Sequence, residues 1–176
     1  LAAMDATLAG ELAERALNDP AFSAAPLWRG APAETGAVAR MASHPLLAAW
    51  IARRGRGAGA RLLARLLELA QLPRLLREPE GADDNPVVRA WPLGENAGMA
   101  GVETSRGLLL HVVRLDAGRV ADYRIVAPTE WNFHPAGALA QALTGLAAGT
   151  GLDASARLVA QSLDPCVAYG LALSEQ

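Results

Sequence analysis

The chain contains no lysine: all 16 of its basic residues are arginine. Together with the abundance of alanine, this reads as the mark of a GC-rich genome and not as a functional signal. Basic charge is not in surplus either. The formal net charge of -2 argues against nucleic acid as the main partner, because neutralising phosphates needs excess cations. A single cysteine, Cys166, rules out an internal disulfide and suits a reducing cytosol, so a cytoplasmic location is expected. No apolar run approaches the roughly 20 residues of a membrane span. No internal repeat is present. The first residues, Leu1-Ala2-Ala3-Met4, lack the basic region and apolar core of a signal peptide, and they read as the start of a fragment of a longer protein.

What remains is a chain of 176 residues, 52% of them hydrophobic, which fits a single domain over residues 1–176 with a real core. Residues 3–18 are rich in alanine, leucine and glutamate and read as a helix ended by Asn18-Asp19-Pro20. Further helices are expected from Ala33 to Met41 and from Pro45 to about Arg53, with Pro45 at a first helical position. The glycines at 55, 57 and 59 break the pattern. The next helix runs from Ala60 to Leu72, with leucines on adjacent stripes, until Pro73 ends or kinks it. Glu78 to Asn96, rich in proline, glycine and acid, reads as a long exposed loop.

After Gly98 the character changes. Two β-rich runs flank Asp116-Ala117-Gly118 and predict a hairpin over residues 107–127. Both alternating sets of its first strand are apolar, so strands covered on both faces by helices are expected. A helix with Leu139, Leu143 and Leu146 at helical spacing follows, closed by Gly149, and Asp153 reads as the N-cap of a last helix through Leu163. The fold class is a mainly helical α+β domain, with helices packed around one β-hairpin.

The residues alone carry little chemistry. A lone cysteine near a chain end is more often a small buried hydrophobe than a ligand. One thiolate cannot hold a metal where structural sites take roughly four ligands. His44, His111 and His134 are too dispersed for a metal-ligand spacing. His44 precedes Pro45 and reads as a helix cap, and His111 as a satisfied strand histidine; His134, in an unusual loop, has the stronger case for function. Arginines 53, 54, 56, 61 and 65 make a basic patch that is either a solvated face or a docking surface for an acidic partner. Arg106 sits at the entrance to a hydrophobic strand. It must pair with a carboxylate, Glu103 being close in sequence, or point into a site that wants fixed positive charge.

Four segments, in order, change this reading. The tail Asp164-Pro165-Cys166-Val167-Ala168-Tyr169 is similar to the Asp-Pro-Cys-x-x-Cys-x-x-His ending of nickel–iron hydrogenase large subunits. Val126-Ala127-Pro128-Thr129-Glu130-Trp131-Asn132 looks like that family's Val-x-Pro-(Thr/Ser)-x-Trp-Asn. Glu103-Thr104-Ser105-Arg106-Gly107 resembles Glu-Ala-Pro-Arg-Gly, and Glu34 to Arg40 resembles Gly-Pro-(Leu/Val)-Ala-Arg more weakly. The resemblance covers most of residues 28–172 and implies the fold of the C-terminal half of the large subunit.

By resemblance, Cys166 matches a terminal nickel ligand. Arg106 matches the arginine over the open metal position and its diatomic ligands, and Thr129 the hydroxyl that donates to a cyanide. Cyanide nitrogens are negative acceptors, so a guanidinium and a hydroxyl suit them. The second cysteine is replaced by Tyr169, whose neutral phenol, of pKa about 10, is no soft bridging ligand. Ala172 stands at the tail histidine position. The family's N-terminal Cys-x-x-Cys pair has no counterpart in these residues and is expected upstream.

Such a pattern is similar to hydrogenase expression/formation (maturation) proteins of the HupK type. The resemblance implies a non-catalytic scaffold that holds an iron–carbonyl–dicyanide unit transiently before handing it to the hydrogenase large subunit, working with other hydrogenase maturation proteins. It implies no metal in this stretch alone. The alternatives are a divergent large subunit that binds nickel and oxidises hydrogen, and a metal-free interaction module. Tyr169 is expected to fill the volume the cluster takes in the enzymes, which would let the domain fold without metal.

Overall fold

The computed structural model describes residues 4–77 and 87–173. Seven helices accompany a four-stranded sheet among these residues: α1 (Ala6–Asn18), α2 (Ala37–Arg40), α3 (Pro45–Arg54), α4 (Ala58–Arg77), β1 (Val88–Pro92), β2 (Ala97–Thr104), β3 (Gly107–Asp116), β4 (Arg119–Val126), α5 (Pro128–Asn132), α6 (Ala138–Thr144) and α7 (Leu152–Ser162). The α+β class is as the sequence predicts. None of the described helices is long and apolar enough to cross a membrane.

The sheet is an antiparallel meander in the order β1-β2-β3-β4, and the expected hairpin is its β3–β4 half. Of the other half, β1 falls within Glu78 to Asn96, which reads as a loop, and β2 starts just after it; residues 78–86 of that loop lie outside the described residues. Trp91 pairs with Met99 and Met99 with Val112; Gly101 pairs with Leu110 and Leu110 with Val126. These residues line one face, against which α1 lays its buried stripe of Leu8, Ala9, Leu12, Ala13 and Ala16, with Trp131, Phe22 and Met4 completing the core. Asp5 starts α1 by accepting from the Leu8 N–H, a side-chain N-cap.

Among the described residues no helix covers the opposite face of the sheet, contrary to the sequence expectation. Tyr123 and Ile125 are exposed there, and His111 stacks on Tyr123 with Nδ1 2.6 Å from its hydroxyl. Apolar alternation on β3 marked one buried face; the second was a run of leucine and valine left partly in water.

A second, smaller core joins α2, α3 and α4 through Ala37, Val38, Leu47, Ala60 and Ala64. α2 is shorter than the predicted Ala33–Met41 because Gly36, at φ +95°, interrupts the helical backbone just before it. α4 is longer than predicted. It runs through Pro73 to Arg77 despite the loss of one backbone donor, and α4 as a whole packs on α2, α3 and α7. Its leucines surround the helix. Leu63 and Leu67 pack inward, whereas Leu62, Leu66, Leu69, Leu72 and Leu76 are exposed.

At α7 the N-cap is Gly151, in the left-handed conformation at φ +92°, and not Asp153. Asp153 is the second residue of the helix, two positions past the cap, and pairs with Arg157 across one turn.

Candidate functional site

The two cores meet at a seam between residues 34–36 and residues 105–107, and the site lies along it. The approach of the two backbones is close enough to require glycine on both sides. A Cβ on Gly36 would stand 2.9 Å from the Arg106 carbonyl oxygen, and one on Gly107, at φ +136°, would stand 2.0 Å from Thr35 Oγ1. Thr35 Oγ1 accepts from the Leu108 N–H at 3.2 Å.

α5 completes the seam. Pro128 at its first position turns the chain out of β4 directly into a helix, and residues three apart then share a face. Thr129 and Asn132 use that face, while Trp131 fills the sheet core and meets Trp28 edge-on, ring centroids 6.4 Å apart. Asn132, 3% exposed, accepts from the Thr35 N–H at 2.8 Å and donates to the Arg106 carbonyl at 3.4 Å. One amide thus ties both sides of the seam.

The tail arrives from α7. After Leu163 the backbone of Asp164 adopts φ +53°, turning the chain toward α5. Cys166 Sγ and Thr129 Oγ1 lie 3.0 Å apart in a hydrogen bond. Asp164 Oδ2 stands 3.6 Å from Arg106 Nε, and Asp164 Oδ1 4.0 Å from Arg65 Nη1. The three residues singled out from sequence are therefore brought to one place: Cys166 touches Thr129, and Arg106 reaches the tail two residues before Cys166. Cys166 and Arg106 are exposed, and Thr129 is half-buried. Beside them a cleft is lined by Thr35, Arg65, Ser105, Arg106, Asn132 and Asp164; its lining does not include Thr129 or Cys166.

Glu103 does not pair with Arg106. It receives Arg40 Nη1 at 2.9 Å, and Arg40 also grips Glu68 and donates to the Thr104 carbonyl at 3.0 Å. Burial opposes the charge on Arg40, but hydrogen bonds and attraction from Glu68 and Glu103 outweigh it and raise its pKa above the ordinary arginine value. The basic patch is divided. Arg53, Arg54 and Arg56 are exposed, but Arg61 is 4% exposed and paired with Glu34 at 2.6 Å, and Arg65 faces the tail.

Tyr169 does not plug a cluster-sized space: it is 39% exposed. His134 is structural, with Nδ1 accepting from the Ala136 N–H at 3.0 Å, and His44 caps α3 by accepting from the Leu46 N–H. The sequence reading missed Arg61, Arg65, Asn132 and Asp164. The Asp-Pro-Cys spacing was the available signal for Asp164, and Trp-Asn was the signal for Asn132.

Donor chemistry sets what the site can do. One thiol, one hydroxyl, two guanidiniums and a carboxylate converge, and among the described residues no group of three or more His, Cys, Asp or Glu side chains could hold a metal ion. The set offers one soft donor and several hydrogen-bond donors for an anionic object.

A fold of helices on an antiparallel sheet, with an Asp-Pro-Cys tail seated on a Pro-Thr-x-Trp-Asn helix beside an arginine, defines the class. The family model of nickel-dependent hydrogenases matches residues 51–171, and the chain belongs to that family. Within it, the chain is 39% identical over 169 residues to hydrogenase expression/formation protein HupK of Bradyrhizobium diazoefficiens, covering 94% of this chain and 46% of the relative. It is 34% identical to hydrogenase expression/formation protein HoxV of Cupriavidus necator, covering 94% and 44%. The chain thus spans about half the length of the curated relatives it matches. Among solved structures, a NiFeSe hydrogenase variant from Desulfovibrio vulgaris Hildenborough aligns with a TM-score of 0.55 at 26% identity, over 81% of this chain and 36% of that one. The NAD+-reducing NiFe-hydrogenase, at 17% identity and a TM-score of 0.51 over 76% and 34%, shares the fold.

Proposed function

We propose that this chain is the tail-bearing part of a hydrogenase maturation scaffold that does not itself turn over hydrogen. Its cargo is an iron unit carrying carbonyl and cyanide ligands, received from other maturation proteins and passed to a hydrogenase large subunit. The names of its relatives, hydrogenase expression/formation proteins, support the maturation role. The observation that carries the finer reading is the Cys166–Thr129 contact at 3.0 Å beside Arg106, in a tail where Tyr169 and Ala172 replace a thiol and an imidazole.

In this reading Cys166, which matches a nickel ligand of the enzymes, would instead supply a single soft ligand to the iron unit, and Thr129 and Arg106 would donate hydrogen bonds to the cyanide nitrogens. A weak donor set suits a carrier, which must release what it receives. Catalysis would need a bridging thiolate that a neutral phenol does not replace.

Infrared spectra of the full protein, purified anaerobically with its maturation partners, test this. Cyanide and carbonyl bands are expected in the wild type, absent in Cys166→Ala, and with the cyanide bands shifted in Thr129→Val. Bands that persist unchanged in Cys166→Ala would remove the basis of the proposal. Hydrogen uptake that is lost in Arg106→Ala would favour the divergent large subunit instead.

A further inference from the structure

Arg61 and Arg65 stand one helical turn apart on α4 and converge on the last residue of α7. Arg61 Nη1 donates to Ser162 Oγ at 3.2 Å, and Arg65 Nη2 donates to the Ser162 carbonyl at 3.1 Å. A helix C-terminus is the negative end of its dipole, so a cation is favoured there. The two arginines differ in what else they do. Arg61 is buried and committed to Glu34. Arg65 is a third exposed, and its other nitrogen faces Asp164 Oδ1 at 4.0 Å.

Asp164 is thus watched from both sides. One carboxylate oxygen faces α4 through Arg65, and the other faces the β2–β3 turn through Arg106 at 3.6 Å. Between Ser162 and Cys166 the chain makes its turn at the left-handed Asp164, a backbone state uncommon outside glycine that aspartate tolerates better than most residues. Arg65 reaches the start of that turn, at the Ser162 carbonyl, and its centre, at the Asp164 carboxylate. A planar guanidinium can hold a carbonyl with one nitrogen and face a carboxylate with another, which a single ammonium centre does poorly.

We infer that Arg65 is a positioning residue for the thiol: it sets the direction in which the tail leaves α7, and so brings Cys166 Sγ onto Thr129 Oγ1. It acts through Asp164 and Ser162 and does not touch the thiol. The inference extends the proposed function to a residue that the hydrogenase-like motifs do not contain. Its test needs no iron, so it fails independently of the infrared experiment.

The measurement is the methyl resonance of Thr129 in the full chain carrying 13C-labelled threonine, with Cys166→Ala as the reference for a lost contact. In Arg65→Gln the Thr129 methyl is expected to move most of the way to its position in Cys166→Ala. Arg65→Lys, which keeps the charge and most of the stem, is expected to fall between, and it carries the test should the glutamine variant not fold. A purely structural tie between α4 and α7 would lower Tm in both variants and leave the Thr129 resonance at its wild-type position. That result would overturn the inference.

Discussion

Gly107→Ala is expected to damage the seam between the two cores more than any other single-methyl addition described above. The new Cβ would sit 2.0 Å from Thr35 Oγ1, 2.9 Å from Thr35 Cβ and 3.0 Å from the Gly36 nitrogen. Two of these neighbours are not free ends of flexible chains, so the backbones must separate. A non-glycine residue at φ +136° also carries strain of roughly 1–3 kcal/mol. Separation forfeits the Thr35 Oγ1 bond to the Leu108 N–H, a loss of about 1 kcal/mol. The combined cost is about 3 kcal/mol, which is large against a typical total of roughly 5–15 kcal/mol. For a chain of this size it corresponds to a fall in Tm of about 6–12 °C. Urea unfolding followed by circular dichroism measures it, with Gly107→Ala repeated in a Thr35→Ala background. Removing the hydroxyl should lessen the penalty by about 1 kcal/mol, because the closest clash goes with it. A penalty below about 1 kcal/mol, or strict additivity of the two changes, would refute the close approach of the two backbones.

Four further outcomes are expected. Arg61→Leu leaves the carboxylate of Glu34, 10% exposed, without its partner, and should lower stability by roughly 3–5 kcal/mol in denaturant unfolding. Arg40→Ala removes the link from α2 to Glu68 on α4 and to Glu103 on β2, and should cost about 2–3 kcal/mol in the same assay; an unchanged midpoint would show that the three elements hold without it. The Asp153 carboxyl is held below its ordinary pKa by its hydrogen bond from Arg157, so its contribution to α7 is present above the ordinary aspartate range and fades as pH falls through the lowered value. Acid titration of helicity should show this, and Asp153→Asn should flatten that part of the curve. Chelator treatment should leave Tm unchanged, because folding rests on two apolar cores.

How much was legible in the sequence depended on whether the information was local. α1, α3 and the β3–β4 hairpin carry their own periodicity, caps and turn residues, and they were read to within a few positions. β1 and β2 were not. Gly98, Gly101 and three alanines give Ala97–Thr104 and Val88–Pro92 a poor strand propensity, and they become strands because Met99 and Trp91 find a buried face against Val112. Pro73 signalled a helix end, yet α4 runs on past it to Arg77. The motif segments that hold Arg106, Thr129 and Cys166 were legible because their spacing is fixed within a few residues. Arg61 and Arg65 read as surface charge because their partners, Glu34, Ser162 and Asp164, lie 27 to about a hundred residues away. Tyr169 read as a plug by analogy with the ligand it replaces, but nothing local to the tail required it to turn inward.

The leucines that ring α4 have a practical consequence at the bench. From Leu62 to Leu76 an apolar strip of about 20 Å, the length of four helical turns, is left in water. Its hydration is weakest to maintain in salts that are excluded from protein surfaces. This stretch of polypeptide, handled by itself, should therefore bind strongly to hydrophobic-interaction resin and come out of solution early in ammonium sulfate. Exchanging Leu66 and Leu69 for glutamine should move both behaviours toward those of an ordinary water-loving protein, without touching either core.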